Sequence, residues 1–127
     1  MNNENSGTIQ EKELIKYCLY ARKSSESDER QAMSIESQIN EMKTMAEKEN
    51  LFIKEIRQES HSAKSSGLRP VFNQLLIDIR KGEFNALLTW APDRLSRNAG
   101  DLGTLVDLMD QGKLKIIRTF SPKVNSP

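Results

Sequence analysis

Phe84-Asn85-Ala86-Leu87-Leu88-Thr89-Trp90 is a short, almost continuous apolar run, and its reading decides the fold. A strand with one wet face alternates apolar and polar residues. A strand covered on both faces reads instead as an unbroken apolar stretch, as in the centre of a parallel sheet. A parallel neighbour in turn requires a crossover connection, usually a helix.

The flanking sequence supplies such connections. Upstream, Phe72, Leu75, Leu76 and Ile79 line one face of a helix that begins at Pro70. Proline is tolerated in a first helical turn, Arg80 and Lys81 complement the carboxyl end, and Gly82 can close it in a left-handed conformation. Before it, Leu51 to Ile56 reads as a strand, followed by a long Ser-, Lys-, His- and Gly-bearing loop from Gln58 to Arg69. Earlier still, Ser34 can cap a helix running to about Glu49, with Ile35, Ile39, Met42 and Ala46 at helical spacing and Met45 widening the stripe. Lys16 to Tyr20 forms the first strand, and Arg22, Lys23, Ser24 and Ser25 fall on a loop at its carboxyl end. Downstream, Asp101 caps a helix whose Leu102, Leu105, Val106 and Met109 face inward, and Leu114 to Phe120 is the last strand. The order β-α-β-α-β-α-β specifies a doubly wound α/β fold, mostly parallel, with helices on both faces and right-handed crossovers.

With 127 residues the chain supports one domain, expected over 14–121. Residues 1–13 carry almost nothing apolar and read as a disordered tail, and 122–127 as a second tail. Net charge is +1, yet residues 1–50 hold 7 basic and 10 acidic side chains against 12 and 8 in residues 51–127. That asymmetry fits a locally basic face without establishing one. The one cysteine, Cys18, excludes a disulfide framework or a cysteine metal site. No apolar run reaches membrane-spanning length and no signal-peptide core is present, so a soluble, cytoplasmic protein is expected.

Chemistry should gather at one edge of such a sheet, since loops after parallel strands open onto the same rim. Three loops there carry suitable groups: Arg22 with Ser24, Arg69, and the run Asp93-Arg94-Leu95-Ser96-Arg97. If that run is helical, Arg94 and Arg97 project from one side as a fork suited to phosphate oxygens. Surface salt bridges to Asp93 or Asp101 are the ordinary alternative. Fixed guanidiniums offset charge built at phosphorus without a metal, and preorganised donors contribute roughly 2.7–4 kcal/mol each.

Tyr20-Ala21-Arg22-Lys23-Ser24, Gln38, Gly67-Leu68-Arg69 and Asp93-Arg94-Leu95-Ser96-Arg97 together resemble the catalytic domain of the serine recombinases, the resolvase/invertase family. The resemblance runs from about Lys16 to Phe120. The longer connection from Ser24 to Gln38 is similar to the large serine recombinases. It implies site-specific recombination of double-stranded DNA, in which Ser24 attacks a backbone phosphate to form a 5′-phosphoserine ester. Homodimers and a synaptic homotetramer exchange strands, with no metal, cofactor or membrane involved. Arg22, Arg94 and Arg97 match phosphate-contacting arginines, and Arg69 another active-site arginine. Asp93 matches an active-site carboxylate, for proton transfer or for orienting arginines, and Gln38 a polar position near the nucleophile. The family's long dimerisation helix and any DNA-binding domain would lie beyond Pro127, so a longer natural protein is expected.

Two other classes compete. A serine hydrolase would use Ser24, His61 and Asp93, but no Gly-x-Ser-x-Gly elbow exists. A non-enzymatic doubly wound binding module lacks a Gly-x-Gly-x-x-Gly or P-loop pattern after any strand.

Overall fold

The computed structural model describes residues 14–22, 34–59, 69–96 and 98–120, with Asp93 described by its backbone alone. Four strands, β1 (Tyr17–Arg22), β2 (Ile53–Glu59), β3 (Ala86–Thr89) and β4 (Ile116–Thr119), pair in parallel in the order β2-β1-β3-β4. Three helices connect them: α1 (Ile35–Lys48), α2 (Pro70–Arg80) and α3 (Ala99–Asp110).

The quoted run sits where its composition demands. Every residue of β1 and β3 is buried, whereas the edge strands β2 and β4 are only partly covered. Side chains alternate between the two faces of the sheet. Cys18, Tyr20 and Leu87 pack with Phe72, Leu75 and Ile79 of α2 and with Leu105 and Leu108 of α3. Tyr17, Leu19, Ala21, Ala86 and Leu88 pack with Ile39, Met42 and Ala46 of α1. One helix therefore covers one face and two cover the other. The cause is direction of travel: β1 to β2 moves one way across the sheet, and the later crossovers move the opposite way. Connections of a single hand then place their helices on opposite faces. The reversal falls between β1 and β3, whose carboxyl ends open a crevice there.

Local signals hold where they depend on neighbouring residues. Ser34 caps α1, its Oγ accepting from the Ser37 amide at 3.1 Å. Asn50 and Gly82, just past α1 and α2, have φ of 59° and 92°, the left-handed closure expected of such residues.

Several expectations need correction. β1 continues through Arg22, so that arginine lies on the strand and not on a loop. β2 spans Ile53–Glu59, not Leu51 to Ile56, and so takes in residues read as loop. Both extensions have one cause, a shared ladder in which Tyr20, Ala21 and Arg22 pair with Arg57, Gln58 and Glu59. An edge strand tolerates charged residues that propensity alone assigns to a loop. β3 and β4 are shorter than their apolar runs; the flanking Trp90 and Phe120 stack instead, centroids 4.6 Å apart. Asn98, not Asp101, caps α3, its Oδ1 accepting from the Asp101 amide at 2.8 Å. Leu105 and Leu108 face inward, while Leu102, Val106 and Met109 are 53%, 46% and 41% exposed. Five apolar residues on α3 span too wide an arc for one contact face, and the helix turns its 105/108 stripe to the sheet. The two tails and the loops bearing Ser24 and His61 lie outside the described residues. Among those described, no helix is long and apolar enough to cross a membrane.

Candidate active site

β1 delivers Arg22 at its last position, on the face of Cys18 and Tyr20 where α2 and α3 pack. The side chain is only 1% exposed. A buried guanidinium is costly without acceptors, and Arg22 Nε donates to the Arg94 carbonyl at 3.2 Å. Arg69, at the N-cap of α2, reaches the same oxygen, its Nη1 donating at 3.0 Å. A carbonyl has two lone pairs, so the two arginines together saturate it. Arg94 itself is buried, in a 3-10 turn (Pro92–Arg94) that directly follows β3. Three cationic residues from three separate segments thus meet at the crevice between β1 and β3.

The turn is shaped by its own sequence and by its neighbours. Pro92 presets its first backbone angle, and the Arg94, Leu95 and Ser96 amides donate to Ala91, Pro92 and Pro92 carbonyls at 3.0, 3.0 and 3.1 Å. Thr89 Oγ1 donates to the Tyr20 carbonyl at 2.8 Å, clamping the carboxyl ends of β1 and β3 together. Arg69 Nη2 donates to the Leu95 carbonyl and to Asp101 Oδ2, both at 2.6 Å. Its guanidinium also lies 3.9 Å from the centre of the Phe72 ring, a cation–π contact.

Glu59 closes the arrangement from the other side. It is 1% exposed, ends β2, and pairs across the ladder with Arg22. Oε1 accepts from Tyr20 Oη at 2.7 Å and from the Phe72 amide at 2.9 Å, and Oε2 from the Val71 amide at 3.0 Å. Arg69 offers no capping side chain, so this carboxylate from another strand caps α2 at the end where negative charge is favourable. Burial, then the hydrogen bond to Glu59, pushes the Tyr20 phenol far above its ordinary range, which keeps it a donor.

Of the residues expected in the site, Arg22, Arg69 and Arg94 are therefore brought together. Gln38 is buried in the first turn of α1, the helix that covers the opposite face of the sheet. Ser24, Arg97 and the Asp93 side chain lie outside the described residues. Sequence reasoning missed Glu59 and the role of Asp101 as a partner of Arg69. The available signal for Glu59 was an absence: a helix opening Arg69-Pro70 has no Ser, Thr, Asp or Asn at its cap and needs an acceptor from elsewhere.

A doubly wound sheet that gathers buried arginines at its switch point is an α/β domain suited to holding phosphate oxygens. The chain belongs to the family described as "Resolvase, N terminal domain", which matches residues 17–123. It is similar to the N-terminal catalytic domain of TP901-1 integrase, at 25% identity and a TM-score of 0.65, over 81% of this chain and 75% of that one. A resolvase family site-specific recombinase from Streptococcus pneumoniae is similar at 25% identity and a TM-score of 0.63, over 83% and 72%. The catalytic domain of ISC1926 TnpA, an IS607-like serine recombinase, shares the fold at 22% identity and a TM-score of 0.65, over 88% and 73%. The domain is thus a resolvase-type serine recombinase catalytic domain.

Proposed function

We propose that this domain cuts and rejoins double-stranded DNA at specific sites by transesterification, with Ser24 as the nucleophile. Ser24 Oγ attacks phosphorus, the bond from phosphorus to the 3′ oxygen breaks, and the serine proton ends on the departing 3′-hydroxyl. The product is a 5′-phosphoserine ester. A 3′-hydroxyl from a second cut end then attacks that ester and regenerates Ser24, within a tetramer of subunits on two sites. One phosphodiester replaces another, so no outside energy source enters.

The observation that carries this reading is the convergence of Arg22 and Arg69 on the Arg94 carbonyl. Charge developing on the nonbridging oxygens would meet the Arg22 guanidinium, already held through its Nε on a turn that Arg69 fixes, with no reorganisation at the moment of reaction. Ser24 follows Arg22 by two residues, a separation the extended chain bridges in about 7 Å. Asp93 and Arg97 flank Arg94 in the same run and belong to the proposed site, Asp93 in proton transfer or arginine orientation; Gln38, buried on α1, is assigned to it as well.

The test starts from a pool of randomised duplexes incubated with full-length protein. After denaturation in detergent, DNA covalently attached to protein is recovered and sequenced. Wild type should enrich a defined duplex and Ser24→Ala none. Equal recovery from Ser24→Ala would refute the assignment.

A further inference from the structure

Arg69 has two possible duties. Its fork can grip phosphate directly, or it can hold other parts of the site in place. In this structure both terminal nitrogens are committed to protein acceptors: Nη1 to the Arg94 carbonyl, Nη2 to the Leu95 carbonyl and Asp101. The side chain is 5% exposed and stacked on Phe72. These acceptors are consecutive carbonyls of the turn that bears Asp93 and Arg94, plus one carboxylate from the next helix.

Asp101 is well placed to fix that geometry. It lies in the first turn of α3, and its amide is held by the Asn98 cap at 2.8 Å. Negative charge is favoured at a helix start, so the carboxylate has a rigid base. It meets Arg69 Nη2 at 2.6 Å with a quarter of its own side chain exposed. An ion pair of two floppy surface chains contributes little; here the cation is buried and both partners grow from helix ends.

We propose that Asp101 is a positioning residue: it holds Arg69 in the orientation that fixes the Arg94 and Leu95 carbonyls, and so sets the turn carrying Asp93 and Arg94 against Arg22. The proposal rests on the recombinase reading above. Without Asp101, Arg69 Nη2 keeps one anchor in place of two, and the guanidinium is free to rotate off the turn.

Two measurements test it. In nitrogen-correlated NMR of the wild-type protein, Arg69 should show distinct, slowly rotating Nη protons; a single averaged resonance would overturn the proposal. Single-turnover cleavage of the duplex enriched above provides the second. Asp101→Asn should lower the rate at saturating DNA by about 10²-fold, as misplacement of a reacting group does. The half-saturating DNA concentration should stay within about twofold, since the loss falls on the transition state and not on binding. Asp101→Glu should recover much of the rate, which a general packing role would not allow. An unchanged rate in folded Asp101→Asn, beside a Ser24-dependent wild-type adduct, sinks this proposal alone. Failure of the wild type to form that adduct sinks the recombinase reading instead.

Discussion

Glu59→Gln probes the part of the site least visible in the sequence, and its cost can be worked from the structure. The carboxylate accepts three hydrogen bonds, from Tyr20 Oη and the Phe72 and Val71 amides. Glutamine keeps one oxygen and replaces the other with an NH2 group. Either orientation sets a donor against a donor. If the oxygen stays on Tyr20 and Phe72, the NH2 group confronts the Val71 amide. A hydrogen bond to a charged group is then lost, about 1.5–3 kcal/mol, and a buried donor is left unpaired, about 1–3 kcal/mol. Removing charge from the start of α2 adds about 0.3–1 kcal/mol. Relief of the buried charge offsets part of this, leaving about 2–4 kcal/mol. Urea unfolding followed by Trp90, the one tryptophan, reads the effect directly. With a slope of about 1–3 kcal/mol per molar urea, the midpoint should fall by about 1–2 M. Tyr20→Phe removes one of the three bonds and should cost less than Glu59→Gln, about 1.5–3 kcal/mol for a hydrogen bond to a charged group. A Glu59→Gln midpoint equal to wild type, or a Tyr20→Phe loss exceeding it, would refute the capping role.

Other consequences follow from the same geometry. Leu108→Ala should cost about 2–5 kcal/mol, while Leu102→Ala, on the exposed stripe of α3, should stay within about 0.5 kcal/mol; reversed values would mean that α3 is turned the other way. Burial pushes the Cys18 thiol up to about 12, so native protein should not react with a disulfide reagent at pH 8. The fold favours the neutral thiol, so that contribution is complete below pH 9.0, where the unfolded thiol ionises, and is lost as pH rises to about 12. Wild type should therefore lose stability more steeply than Cys18→Ala across that interval, and parallel curves would count against it. Arg22→Ala should reduce single-turnover cleavage by about 10²–10³-fold, the usual effect of losing one preorganised donor; a rate within threefold of wild type, roughly 0.65 kcal/mol, would remove Arg22 from the site.

What was legible in the sequence was what neighbouring residues decide. The nearly unbroken apolar run of β3 announced a strand covered on both faces, Lys16 to Tyr20 read as a strand, and Ser34, Asn50 and Gly82 marked helix boundaries through their own backbone and side-chain chemistry. The rest depends on distant partners. Whether Arg22 ends a strand or begins a loop is settled by its pairing with Glu59, and Glu59 belongs to a strand only because β1 lies beside it. Its carboxylate acts on a helix twelve residues downstream and on a phenol thirty-nine residues upstream, separations that no local pattern encodes. For α3 two apolar stripes competed, and the sheet chose between them. Motif order carried the arginines to one rim, but their common acceptor, a backbone carbonyl, has no signature in residue types.

The most direct test of the account maps the bond itself. Full-length protein is trapped on the enriched duplex, digested with nuclease and trypsin, and the peptide beginning at Ser24 is fragmented in a mass spectrometer. A nucleotide joined through its 5′-phosphate to Ser24 is the predicted result. Attachment to Ser25 or through a 3′-phosphate would contradict it, as would recovery of that peptide always unmodified.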